Sequence, residues 1–314
     1  MKTTDDHLFL FAGTSHPALA QEIAVNAGIK LGKIAITEFP DGETGVEILH
    51  SVRGCDVFVL QTVARNPNHY LMELLIIIDA LIRASAKSIT AVIPYYGYCR
   101  QDRKTSTRVP ITAKLVANLI EKAGANHIVS MDLHAPQVQG FFDVPVDDLQ
   151  AYPVLLELLK DLNFNDFIVV TPDIGSVKLA RAYANRSGVE YMIIDKSRTS
   201  ATEVSVLNLY GDVKGKNVLL IDDICSTAGT LVAAAKACQE GGAKRIVAMI
   251  THGVFVDEAI EKIEASPIEV LVVSNTIPLT KKALSCKKII VISVAKLFSK
   301  AISCIMTGES MFSE

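Results

Sequence analysis

At 314 residues, half of them apolar, the chain is about twice as long as an ordinary domain and carries enough nonpolar surface for two cores. A net charge of −3 with the signs interspersed excludes the basic stripe of a nucleic-acid binder, and six dispersed cysteines with no C-x-x-C pair disfavour a zinc site or a disulfide framework and fit a reducing cytoplasm. The longest apolar stretch, Leu74 to Ile82, is interrupted by Asp79 and falls short of the roughly 18 residues that span a bilayer, so no membrane is expected as a partner.

Asp5-Asp6 precede the short run Leu8–Ala12, which reads as a first strand and not as a signal peptide. Further strands are expected at Ile34–Ile36, Val57–Gln61, Ile89–Ile93 and His127–Met131, and helices at Pro17–Ala27, Leu71–Ala84 and Ala113–Ala123. Short apolar runs alternating with helical patterns point to βαβ units and a parallel sheet. The grammar repeats, with strands expected near Phe167–Thr171, Tyr191–Ile194, Val218–Ile221, Arg245–Ile250, Val270–Ser274 and Ile289–Ile292. The fold class is therefore α/β, with two similar units meeting near Val146–Pro153, where paired acids and two prolines break the pattern. A final helical stretch, Val294–Met306, is free to return to the first unit.

Several polar motifs leave these strands. Phe39-Pro-Asp-Gly-Glu43 contains a D-G turn and by itself reads as a surface turn. Ile93-Pro-Tyr-Tyr-Gly-Tyr-Cys-Arg-Gln-Asp-Arg-Lys104 places three tyrosines, which can cover a purine, before Arg100, Arg103 and Lys104, which can grip phosphates. In Met131-Asp-Leu-His134, Asp132 and His134 stand two apart at a strand end and are expected to point to one side, as metal or phosphate ligands would. Asp173 in Thr171-Pro-Asp-Ile-Gly-Ser-Val-Lys178 is a further candidate for magnesium. Lys196 and Arg198 sit at the base of the polar segment Ile194–Val204, which reads as a loop.

Asn217–Gln239 carries the most specific pattern. Val218-Leu-Leu-Ile221 suits a strand buried on both faces, and Asp222 and Asp223 are expected to end it where open α/β sheets bind ligands. Ser226-Thr-Ala-Gly-Thr230 then leads into an alanine-rich helix closing at Gly241-Gly242. Free N–H groups, the positive end of the helix dipole and threonine hydroxyls make such a loop a phosphate seat, and Gly229 allows close approach of the backbone. The block resembles the phosphoribosyl-pyrophosphate loop of type I phosphoribosyltransferases, with Ser226 where many relatives carry a third Asp.

With Ser51-Val-Arg-Gly54, Leu71-Met-Glu-Leu-Leu75, Ala113–Asn118, Gln139–Asp143, Thr251-His-Gly253 and Asn275-Thr-Ile-Pro278 in register, the chain from about Phe11 to Ser310 resembles the ribose-phosphate pyrophosphokinases of the class found in bacteria and animals. The resemblance implies two tandem phosphoribosyltransferase-like domains, 1–149 on the ATP side and 150–293 on the ribose 5-phosphate side, followed by the helical segment 294–314. It implies transfer of the β,γ-diphosphoryl group of ATP to the 1-hydroxyl of ribose 5-phosphate, Mg²⁺ as cofactor, a cytoplasmic enzyme and a homohexamer. By position it places Phe39, Asp41, Gly42, Glu43, Arg100 and Gln101 on ATP, and Asp132, His134 and Asp173 on metal. Lys196 and Arg198 match the catalytic pair, and Arg198, Asp222, Asp223, Ser226, Thr227, Ala228, Gly229 and Thr230 match the ribose 5-phosphate site. Two competing readings remain open. A simple phosphoribosyltransferase does not need the ATP-side residues, and a non-catalytic regulatory subunit does not need Lys196 and Arg198.

Overall fold

The computed structural model describes residues 8–197 and 206–311, with backbone alone for 195–197 and 206–210. It divides into two compact units: one runs to Gln150 and takes in Thr276–Pro278 and the segment from Ser293, the other comprises Ala151–Asn275 and Leu279–Ile292. No helix among the described residues is long and apolar enough to cross a membrane.

In the first unit β1 (Leu8–Ala12), α1 (Pro17–Ala27), β2 (Lys30–Leu31), β5 (Asp56–Leu60), α2 (Pro67–Arg83), β6 (Ser88–Ile93), α3 (Thr112–Ala123), β7 (His127–Met131) and β8 (Val146–Leu149) build a sheet. Its order among the described residues is β2-β1-β5-β6-β7-β8, and all of its pairings are parallel. The strands β3 (Ile34–Glu38) and β4 (Thr44–Ile48) stand apart as an antiparallel hairpin. The stretch read as a break near Val146–Pro153 thus begins with a strand. β8 tolerates Asp147 and Asp148 because Asp147 meets His127 Nε2 at 2.7 Å and Asp148 accepts from the Leu133 N–H at 3.1 Å.

The second unit holds α4 (Tyr152–Asp161), β9 (Phe167–Thr171), α5 (Val177–Ser187), β10 (Tyr191–Ser197), β11 (Val206–Tyr210), β12 (Asn217–Cys225), α6 (Gly229–Glu240), β13 (Arg245–Gly253), α7 (Ala259–Glu264), β14 (Val270–Ser274), α8 (Lys281–Ser285) and β15 (Ile289–Ile292). The sheet order among the described residues is β11-β10-β9-β12-β13-β14-β15, parallel except where β11 pairs antiparallel with β10. Val218 to Ile221 are wholly buried, as a strand covered on both faces requires, and each such side chain contributes roughly 1.5–3 kcal/mol by leaving water. The last helix, α9 (Ala295–Thr307), belongs to the first unit, where the Ser299 hydroxyl donates to Ile23 O at 3.2 Å on α1.

From β1 to β8 and from β9 to β15, leaving out β10 and β11, the two sheets share one register. Asp56 at the head of β5 faces Leu8 and Ser88, while Asn217 at the head of β12 faces Phe167 and Arg245. Thr90 faces His127 as Val247 faces Val270, and Ile128 faces Val146 as Leu271 faces Ile289. In each sheet the strand order reverses direction at one point, between β1 and β5 in the first and between β9 and β12 in the second. Such switch points, beyond the carboxyl ends of the strands, are where open α/β sheets bind ligands.

Candidate functional site

At the switch point of the second unit, Asp173 leaves β9 and Asp222 and Asp223 lie on β12. Contrary to the reading of the acids as the end of the strand, β12 continues to Cys225, with Asp222 opposite Ile250 and Ile224 opposite His252. Pairing with the equally long β13 carries the ladder past the acids and holds their backbone in place. Asp222 Oδ1 accepts from the Ser176 hydroxyl at 2.9 Å and from the Asp223 N–H at 3.0 Å. Asp173 Oδ1 accepts from the Ser176 N–H at 3.0 Å. Ser176, buried in the turn before α5, therefore ties two of the acids together across 46 positions of sequence. Nothing in the local pattern singles it out beyond its being a hydroxyl residue near an acid.

Burial, and then the charges of Asp223 and Asp173, hold the Asp222 carboxyl well above the usual carboxylate range, while the Ser176 hydroxyl pulls the other way. Asp173 beside this pair offers a hard oxygen donor of the kind Mg²⁺ prefers, an ion that takes one or two carboxylates and keeps waters and substrate phosphates. Cys225 beside them is inert. Burial and the charge of Asp222 push its thiol up to about 12, so no thiolate nucleophile is available at neutral pH.

The loop that follows ends in Ala228, which adopts the left-handed conformation at φ 59° and starts α6 without any side-chain cap bond. The strained position is thus Ala228, and Gly229 serves another purpose. A Cβ on Gly229 would meet only Thr227 Oγ1, at 3.7 Å, so the space in front of this helix N-terminus is open. Thr227 and Gly229 are exposed and Ser226 and Thr230 half-buried at this helix start, where the positive end of the dipole favours an anion.

Lys196 lies on β10 opposite Leu207 of β11, so the expected polar loop begins later than Ile194. The antiparallel partner extends the strand to Ser197. Arg198 lies outside the described residues.

In the first unit Phe39, Asp41, Gly42 and Glu43 form the tip of the β3–β4 hairpin. The Phe39 N–H donates to Glu43 O and the Gly42 N–H to Phe39 O, both at 2.8 Å, and Gly42 has φ 88°. The turn reading holds, and it leaves the Phe39 ring 51% exposed. After β6, Arg100 and Gln101 are exposed, and Gln101 is fixed by the Thr112 hydroxyl at 2.5 Å on its Oε1. The three tyrosines do not act together. Tyr95 and Tyr96 are buried in the core, with the Tyr96 hydroxyl donating to Ala113 O at 2.9 Å, and only Tyr98 reaches the surface. β7 ends at Met131 and the chain turns through Asp132 at φ 40°, so strand alternation does not govern Asp132 and His134. The turn itself places them, Asp132 half-buried and His134 exposed. Among the described residues no three His, Cys, Asp or Glu groups form a preformed metal cage.

Asp148 supports that turn from β8 through its bond to Leu133, and burial pushes its carboxyl up from 3.8 to about 6 in spite of that bond. Because the folded value is raised, the folded chain holds this proton more tightly than the unfolded chain, and stability is lost as pH rises from about 4 through about 6. Asp148→Asn keeps an acceptor for Leu133 without the buried charge. It is expected to stabilise the protein by on the order of 2 kcal/mol near pH 8 and by almost nothing near pH 4. Urea midpoints at the two pH values check this, and an equal gain at both would remove the charge from the account.

Residues 8–124 match the family described as the N-terminal domain of ribose phosphate pyrophosphokinase, and residues 197–313 match the phosphoribosyl synthetase-associated domain. The ribose-phosphate pyrophosphokinase of Caldanaerobacter subterraneus subsp. tengcongensis is 51% identical over 305 residues, covering 97% of this chain and 96% of the relative. That of Oceanobacillus iheyensis is 50% identical over 298 residues, covering 95% and 94%. The crystal structure of phosphoribosylpyrophosphate synthetase from Mycobacterium smegmatis superposes with a TM-score of 0.91 at 40% identity, covering 96% of this chain and 99% of that one.

Proposed function

The chain belongs to the ribose-phosphate pyrophosphokinase family, and on that premise we propose how its residues carry the reaction, transfer of the β,γ-diphosphoryl group of ATP to the 1-hydroxyl of ribose 5-phosphate with release of AMP. The observation that carries the assignment is the pairing, at one switch point, of the Asp222–Asp223 acids with an open, uncapped helix N-terminus at Ser226–Thr230. Acids recognise sugar hydroxyls and the helix start recognises a phosphate, so together they fit a phosphorylated ribose.

In this reading Asp222 and Asp223 accept from the ribose hydroxyls, with Ser176 fixing the direction of Asp222. Ser226, Thr227 and Thr230 donate to the 5-phosphate beside the N–H group of Gly229. Phe39, Asp41, Gly42, Glu43, Arg100 and Gln101 bind ATP, Phe39 offering its exposed ring to the base and Arg100 its guanidinium to phosphate. Asp132 and His134 in the first unit and Asp173 in the second are each candidate Mg²⁺ ligands, and the ion when bound would neutralise phosphate oxygens. Lys196 and Arg198 meet the charge that develops on the transferred group. Phosphoryl-type transfer relies on positioning and charge stabilisation and needs no covalent enzyme intermediate. The protein is a cytoplasmic homohexamer in this reading, and sedimentation at working concentration is expected to give that mass.

The deciding assay mixes pure protein with ATP, Mg²⁺ and ribose 5-phosphate and follows AMP. AMP formed only when all three are present is expected. Its absence with inorganic phosphate also supplied would put the regulatory-subunit reading ahead. Within the site, Ser226→Ala is expected to raise the Michaelis constant for ribose 5-phosphate about tenfold, the effect of one hydrogen bond to a charged group, with turnover little changed. A fall in turnover at constant sugar affinity would move Ser226 out of the phosphate seat.

A further inference from the structure

The first sheet has a switch point of its own, between β1 and β5, and by the register equivalence Gln61 stands where Asp222 stands in the second sheet. The likeness extends to the bonding. The Ser15 hydroxyl donates to Gln61 Oε1 at 2.6 Å just as the Ser176 hydroxyl donates to Asp222 Oδ1 at 2.9 Å. The loops into α2 and α6 also share a left-handed residue, Arg65 at φ 60° and Ala228 at φ 59°.

What differs is the space between the loops. Counting from the first residue of each helix, the seventh residue of α6 is Ala235 and the seventh of α2 is Glu73, and both are wholly buried. The Glu73 carboxylate is fully engaged by donors. Its Oε1 accepts from the Thr14 N–H at 2.7 Å and from Gln61 Nε2 at 2.6 Å, and its Oε2 accepts from the Thr14 hydroxyl at 2.7 Å. His69 Nε2 lies 3.6 Å from Oε2. A backbone N–H, a hydroxyl and an amide converging on one buried carboxylate are the donor set of an anion site. A Cβ on Gly13 would lie 2.8 Å from Glu73 Oε1 and 2.3 Å from Gln61 Oε1, so the chain approaches as closely as glycine permits.

We propose that the switch point of the first unit is an anion site permanently occupied by the protein's own Glu73 carboxylate. The site is charged internally and closed to free phosphate, which leaves the second unit as the one whose switch point can take a phosphorylated ligand.

Glu73→Ala removes the two outer carbons and the carboxylate oxygens, the heavy atoms of one acetate ion. The variant is expected to melt well below the parent and to regain at least about 3 °C with added acetate, saturably, while sodium chloride at equal ionic strength gives no such gain. Leu74→Ala, which empties a neighbouring wholly buried apolar position, and the parent should show no acetate-specific gain. Glu73→Gln should show no acetate-specific gain, because its side chain still fills the space that acetate would take. If Glu73→Ala does not purify folded, refolding from urea with acetate or chloride replaces the melt, and recovery is expected with acetate alone. An absence of acetate-specific recovery in either format, or an equal acetate gain in the parent, would overturn the proposal.

Discussion

Lys196→Ala and Arg198→Ala are each expected to lower turnover by at least about 10²-fold, the scale seen when one preorganised electrostatic donor is lost from a transition state. Nothing in the fold should suffer. Lys196 is in the next-to-last paired position of β10, opposite Leu207 of the edge strand β11, away from the buried run Val218–Ile221 that anchors the second core. If both cations act chiefly as charge redistributes during transfer, ground-state binding depends little on them and the Michaelis constants for ATP and ribose 5-phosphate stay near those of the parent. The double variant should then lose less than the product of the single losses, as groups acting on one transition state do. Steady-state kinetics on the three variants decides the matter. Raised Michaelis constants at unchanged turnover would make both residues substrate-binding groups.

Asp222→Asn is expected to move stability and activity in opposite directions. Burial and the neighbouring charges of Asp223 and Asp173 raise the Asp222 carboxyl well above its ordinary range. The folded chain therefore holds that proton more tightly than the unfolded chain, and stability falls as pH rises from the ordinary carboxylate range towards the raised value. An asparagine removes the repulsion while its Oδ1 still accepts from Ser176 and from the Asp223 N–H. The substrate-free variant should melt higher than the parent near pH 8, and the difference should vanish at acid pH. Catalysis should fall, because the ribose loses a charge-assisted bond, at a cost of about 10- to 10²-fold in kcat/KM for ribose 5-phosphate. A lower melting temperature near pH 8, or unaltered kinetics, would show that this carboxylate is structural. The trade is the common one in which a site stores unfavourable charge that its ligand relieves.

Much of this architecture is written locally. Leu8–Ala12, His127–Met131, Phe167–Thr171, Val270–Ser274 and Ile289–Ile292 are strands at the limits their sequence suggests, because a short, mostly apolar run suits a strand covered on both faces of a parallel sheet. The hydroxyl loop before α6 is equally legible, since helix starts and phosphate seats draw on the same small residues. Tertiary structure decided where local pattern had no reason to choose. β12 runs through two acids to Cys225 only because β13 lies alongside it, β10 reaches Lys196 because β11 pairs with it, and Tyr95 and Tyr96 are core because β6 delivers them inward. Glu73 reads in sequence as one more polar residue of a helix, and Ser176 as one more turn residue. Each acquires its role from partners far along the chain, Thr14 being 59 residues from Glu73 and Asp222 being 46 from Ser176. Periodicity and turn chemistry act over a few residues and so determine the elements, whereas a buried carboxylate is tolerated only where the assembled fold brings donors to it, and that no local pattern can specify.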